Sequence, residues 1–256
     1  MRRLALTMLL MLGAGAPASA ERLVVSLSNH RVAVTSSFTG EDLVLFGTIE
    51  PDNARTPLRP PYDLVVTVMG PRETMRTRRK ARVLGIWINT EAREFVRVPS
   101  YLAVLSSRPV GDIANPDVLR RLQIGLSNYL LPQRFGSDIG DSARDDAFRV
   151  AFVRLEVEQG LYRESGNAVT FLTPTVFRAA IPVPANVPTG NYSIDVKLFA
   201  SGVPIASTTS ALEVIKTGVE QYAADAARDR GLLYGLVTAL MALFIGWFGS
   251  VVFRRD

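Results

Sequence analysis

Residues 190–196 read Gly190-Asn191-Tyr192-Ser193-Ile194-Asp195-Val196, a turn pair followed by a strand-forming run with a tyrosine at its start. In a β-sandwich, a tyrosine near the start of a late strand holds the corner of the domain. That reading requires the flanking chain to supply short strands at regular spacing, with turn residues between them.

The chain supplies them on both sides. Strand-type enrichment in Val, Leu, Phe and Thr marks 22–27, 31–36, 43–50 and 62–69, the last after a proline-rich loop at 51–61. Further strands are predicted at 72–83, 84–89, 94–98, 101–106, 168–172, 175–182, 191–200 and 203–215. The fold class is therefore mainly β, an immunoglobulin-like β-sandwich over 21–216. A helical insert at about 113–162 interrupts it. Asn115 is a good N-cap with Pro116 at the first helical position, and Val118, Leu119, Leu122, Leu126 and Tyr129 mark one face until Pro132. Ser142 and Asp145 then have capping-box-like spacing, and Phe148, Ala151, Phe152 and Leu155 recur at helical steps until Gly160. The expected insert is an α-helical hairpin.

At the other end of the chain, 231–253 reads GLLYGLVTALMALFIGWFGSVVF, without a charge. At about 1.5 Å per residue this is long enough for a transmembrane helix. Its small residues Gly231, Gly235, Ala239, Ala242, Gly246 and Gly249 follow each other in steps of 4, 4, 3, 4 and 3, which keeps them on one helical face. Helices associate in lipid by close backbone approach, so such a seam suits packing against a partner helix or a second copy; small residues are also simply frequent in membrane helices. Residues 217–230 are expected to form a juxtamembrane helical stalk, and 254–256 a cytoplasmic tail. Residues 1–20 have the make-up of a cleavable signal peptide: Arg2 and Arg3, an apolar core from Leu4 to Leu12, and Ala18-Ser19-Ala20 before the cut. The implied topology is a single pass through the inner membrane, with the N-terminal domain in the periplasm.

The formal charge of +5 falls to +3 once Arg2 and Arg3 leave with the signal, too little for a nucleic-acid-binding domain. Without cysteine, disulfides, thiolate metal sites and cysteine nucleophiles are excluded. His30 is the sole histidine, read as a turn residue, with a ligand contact or proton sensing as its other uses. Asp138, Asp141, Asp145 and Asp146 do not follow a calcium-loop spacing, and acids are favoured at a helix start in any case. Nothing here makes a catalytic constellation, so no cofactor, metal or enzymatic activity is expected.

One soluble feature stands out. Alternation along 72–83 puts Arg72, Arg76, Arg78, Lys80 and Arg82 on one strand face. The stripe suits anionic lipid headgroups, an acidic partner or an anionic ligand. The blander reading, and the favoured one, is a solvated edge strand protected from edge-to-edge pairing by its charges.

The runs LVVSLSNHRVAVTSSFTGEDLVLFGTIE, YDLVVTVMGPRETMRTRRKARVLGIWIN and LRRLQIGL, with the single C-terminal span, resemble the alphaproteobacterial transmembrane protein family known as Alph_Pro_TM. The resemblance covers essentially the whole mature chain. It implies no activity or catalytic residues, but it does imply neighbourhood with sulfite-exporter (TauE/SafE-type) permeases, hence an accessory role in anion export. The expectation is a non-enzymatic accessory or docking subunit of a membrane complex, its partner an integral membrane protein or a second copy. The alternative is a membrane-anchored binding module for an anionic solute or glycan.

Overall fold

The computed structural model of the chain describes residues 21–51, 60–217, 227–228 and 231–252. The stretches expected to form a signal peptide (1–20) and a cytoplasmic tail (254–256), with the greater part of the proline-rich loop and of the expected stalk (217–230), lie outside the described residues. The described residues form three sheets. The first has the order β1 (Arg22–Leu27), β3 (Gly40–Glu50), β12 (Val176–Pro184), β11 (Val169–Phe171), with every pairing antiparallel. The second has the order β10 (Tyr162–Ser165), β7 (Leu102–Ser106), β4 (Tyr62–Met69), β13 (Gly190–Ala200), β14 (Val203–Lys216), β2 (Arg31–Val34). Its inner pairs are antiparallel and its two outermost pairs, β10 with β7 and β14 with β2, are parallel. The third sheet, β5 (Arg72–Val83), β6 (Ile86–Pro99), β8 (Pro132–Phe135), β9 (Asp138–Asp141), was not foreseen from the sequence.

Period-two burial explains why the first two sheets share one core. Phe177, Ala179, Ile181 and Val183 point inward from β12, and Tyr192, Ile194, Val196 and Leu198 from β13; all belong to the same buried cluster. The second sheet is covered on its other face too. Val65, Val104 and Phe199 pack there against Val110, Ile113, Leu119 and Ile124, which is why β7 reads as four apolar residues and a serine with all five buried.

The insert departs from the expected helical hairpin. It consists of α1 (Val110–Ile113), α2 (Pro116–Arg121), the β8–β9 hairpin and α3 (Ala147–Glu158). Asn115 caps α2 as anticipated, its side chain accepting from Asp117 N, and Pro116 opens the helix. The helix stops at Arg121 because Gln123 takes a positive φ of 55° and Gly125 one of 94°, a left-handed turn that ends the α-helical ladder. Leu119 and Tyr129 are buried all the same. Further on, Asp146 caps α3 in place of Ser142: its carboxylate accepts from Arg149 N at 2.9 Å. Phe148 and Phe152 face the core as anticipated, with Phe152 stacked on Phe95 at 4.3 Å, but Leu155 is exposed and the core side of the helix carries Arg149 and Glu156 instead. Arg149 can be buried because it ion-pairs with Asp141 at 3.1 Å and donates to the carbonyl of Tyr129 at 2.5 Å.

The last element is α4 (Gly231–Val252), 22 uncharged residues. Among the described residues no helix is long and apolar enough to cross a membrane; the part of α4 with continuously described side chains, 234–249, is shorter than the roughly 20 residues a span requires.

Candidate functional site

The β5–β6 hairpin carries the basic stripe and begins where the second sheet ends. Met69 of β4 pairs with Leu102 of β7, Gly70 N donates to Tyr101 O at 2.8 Å, Ser100 N donates to Pro71 O at 2.8 Å, and Arg72 of β5 pairs with Pro99 of β6. The β4–β7 ladder thus runs on into β5–β6 in unbroken register, so the four strands form one long hairpin. Two register shifts follow, between Glu73 and Met75 and between Arg79 and Lys80. Each adds its extra residue to β6, leaving the alternation of β5 intact.

Arg72, Arg76, Arg78, Lys80 and Arg82 accordingly share one face, and all five are exposed. On the opposite face Thr77 is buried and Met75 packs against the core. β5 is also the outermost strand of its sheet. Across the ladder Glu94 stands opposite Arg76 and is engaged by Arg134 at 3.3 Å, and Glu91 stands opposite Arg79.

At the far end Leu84 and Gly85 make a two-residue turn with φ of 50° and 84°, the double positive φ that matches the twist of a tight hairpin. Gly85 supplies one of these at no steric cost. Around the turn the apolar side chains face solvent: Leu84 is 98% exposed, Ile86 68% and Trp87 67%, with Val83 and Ile88 also exposed. Arg82 stands directly opposite Trp87, and its Nε donates to Gly85 O at 3.3 Å. The sequence reading treated 84–89 as an ordinary strand. The available signal was a Leu-Gly turn inside an apolar run with nothing polar to shield it.

Gly231, Gly235, Ala239, Ala242, Gly246 and Gly249 all lie on α4. A Cβ added at Gly231, Gly235, Gly246 or Gly249 would meet nothing within 4 Å, so these positions are open among the described residues. Apolar residues around the rest of the helix are exposed, among them Leu236, Leu240, Leu243, Phe244, Ile245 and Trp247. Thr238 donates its hydroxyl back to the carbonyl of Tyr234 at 2.9 Å.

The family model described as "Putative transmembrane protein (Alph_Pro_TM)" matches residues 22–255. The chain belongs to the Alph_Pro_TM family. No curated protein matches it. The matched span takes in the whole β domain, the hairpin and α4 of this Alph_Pro_TM member.

The remaining candidates of the Alph_Pro_TM chain are dispersed. His30 lies exposed in the turn between β1 and β2, where its carbonyl accepts from Glu213 N at 2.9 Å. The four aspartates do not converge: among the described residues there is no metal-competent cluster. Asp141 accepts from Leu131 N at 2.9 Å and binds Arg149, while Asp146 caps α3 and accepts from Gln133. Burial would raise the Asp146 carboxyl. The hydrogen bonds from Gln133, Arg149 and Phe148, with the charge of Arg93, outweigh that and hold it below the usual carboxylate range. A cleft of about 540 Å³ between β5 and α3 is lined by Thr77, Arg78, Arg79, Lys80, Phe148 and Arg154.

Proposed function

We propose that the chain is a single-span inner-membrane protein that acts as a non-enzymatic accessory or docking subunit. In this reading α4 crosses the bilayer, the β domain stands in the periplasm, and the tail is cytoplasmic. The observation that carries it is α4 itself, 22 residues without a charge and about 33 Å long at helical rise, with its apolar side chains facing outward. A bilayer core of about 30 Å matches that length. The internal bond of Thr238 gives its hydroxyl a partner where water would be absent. The family description agrees.

The domain is immunoglobulin-like in this reading. The order β1-β3-β12-β11 in one sheet and β4-β13-β14 in the other follows the ABED and CFG arrangement of that sandwich. Tyr192, whose hydroxyl donates to Pro188 O at 2.5 Å, makes the corner bond. The open small-residue seam favours a partner helix, supplied by a polytopic protein such as a TauE/SafE-type permease or by a second copy.

The test is affinity purification of the full-length protein from native membranes in mild detergent, beside a variant with Gly235, Ala239 and Gly246 changed to leucine. A polytopic partner or second copy recovered with the native seam and lost with the leucines supports the subunit reading. Association that survives all three leucines, or none with either protein, defeats it.

The cleft between β5 and α3 favours a second reading, a binding module for an anionic solute or glycan, because Arg78, Arg79, Lys80 and Arg154 surround it. Calorimetric titration of the full chain with inorganic anions and acidic oligosaccharides decides whether that reading has support.

A further inference from the structure

We infer that the tip of the β5–β6 hairpin is a second membrane contact, with Leu84, Ile86 and Trp87 seated at the headgroup–acyl boundary and Arg78, Lys80 and Arg82 on anionic headgroups. The inference rests on the reading of α4 as the anchor.

Topology places the hairpin on the anchor's side. β4 and β14 both pair antiparallel with β13 and so run in the same direction, and Met69 and Ala211 are level because both pair with Ser193. Beyond that level β14 leads toward α4 and β4 leads into β5. The two exits are adjacent: a Cβ on Gly190, which pairs with Val214, would lie 3.0 Å from the Pro71 ring. The hairpin therefore leaves the same end of the sandwich as the tether.

Length permits contact. The 12 residues of β5 have a contour of about 40 Å at about 3.3 Å each. The 14 residues between Lys216 and Gly231 cover from about 21 Å if helical to about 48 Å if extended. The tip's reach falls inside that range.

Chemistry selects lipid as the occupant. An isolated exposed leucine is ordinary, but Leu84, Ile86 and Trp87 converge at one projecting point, next to three cations. Tryptophan favours the membrane–water interface, and arginine and lysine stems lie along the apolar boundary while their charged ends meet phosphate. Protection of an edge strand accounts for the charges on β5 but leaves the apolar tip unexplained.

The chain has two tryptophans, one in each element, so the two readings separate in one experiment. Full-length Trp247→Phe and Trp87→Phe proteins are reconstituted in phosphatidylethanolamine–phosphatidylglycerol vesicles, with and without lipids brominated near the headgroup or deep in the acyl chain. Trp87 emission is expected to shift to the blue and to be lost to the shallow bromines. A Leu84→Asp, Ile86→Asp variant abolishes that loss, and phosphatidylcholine vesicles or high salt weaken it. Trp247 reports the anchor by loss of emission to deep bromines. Trp87 left solvent-like and unquenched while Trp247 is quenched overturns the hairpin contact and keeps the anchor. Trp87 shifted to the blue yet unquenched overturns it in favour of a protein surface. Neither tryptophan quenched overturns both readings, and Trp87 quenched alone supports the hairpin while removing the anchor.

Discussion

Tyr192 donates its hydroxyl to the carbonyl of Pro188, four residues upstream, at 2.5 Å, fixing the loop that enters β13. Tyr162 does the same for Pro99 at 2.7 Å, and Tyr101 for Pro182. Burial pushes all three hydroxyls well above the ordinary phenol range, so they stay neutral donors at any physiological pH. Tyr192→Phe keeps the ring and deprives the Pro188 carbonyl of its donor. It is expected to cost about 1–3 kcal/mol, read as a lower midpoint in thermal unfolding followed by circular dichroism.

Arg149 and Arg154 sit on the same helix and make opposite cases. Arg149 is 4% exposed and serves Asp141, Ser127 and Tyr129, whereas Arg154 is 68% exposed and pairs with Glu158 at 3.6 Å. Arg149→Met leaves two carbonyls and a carboxylate without their cation and is expected to cost about 3 kcal/mol or more. Arg154→Met is expected to change stability by less than about 0.5 kcal/mol. Parallel urea titrations of the two variants check the contrast; equal effects would contradict it.

Glu156 is buried, and its Oε2 has no hydrogen-bond partner among the described residues. Burial raises its carboxyl above the usual range. The folded chain therefore holds this proton more tightly than the unfolded one. Below the ordinary glutamate value of about 4.3 both states are protonated and there is no penalty; above it the unfolded state ionises first, and stability falls until the folded carboxyl ionises too. Glu156→Gln is expected to raise the unfolding temperature at pH 7 and leave it nearly unchanged at pH 4. Asp146 acts with the opposite sign: its contribution is present above the ordinary aspartate range and lost as pH falls through its lowered value.

Gly47 of β3 faces Phe177 of β12 so closely that an added Cβ would lie 2.3 Å from the ring. Phe177 is fully buried and has no room to retreat. Gly47→Ala is expected to destabilise by about 1–3 kcal/mol. Combining it with Phe177→Leu recovers part of that loss, which a double-mutant cycle measures.

Strands were legible where burial is one-sided or continuous. β1, β4 and β5 were read with their observed bounds, and β12, β13 and β14 to within two residues of theirs. The missed strands are those whose pairing, not their own composition, makes them strands. β10 reads YRES and is held by parallel pairing to β7; β8 opens with a proline, and its ladder with β6 has Gln133 opposite Phe95 as its single pair. In α3 the apolar periodicity misled, because the buried face runs through Arg149, Phe152 and Glu156 rather than Leu155, and Arg149 is buried with carbonyl and carboxylate partners. The basic stripe was visible from alternation alone. The solvent-facing tip beyond it was not, since a run such as Ile86-Trp87-Ile88 reads as core until the fold leaves it uncovered.

The parallel pairing of β2 with β14 joins residues 31–34 to 213–216. A contact spanning nearly the whole domain cannot form until the last strand has been synthesised, and only 14 residues then separate that strand from α4. The β4–β7 hairpin and its extension are local and can form early, while the outer edge of the second sheet closes last. Completion of the second sheet is thus timed to the emergence of the C-terminal helix, and a chain cut short before 213 would leave β2 without its partner strand.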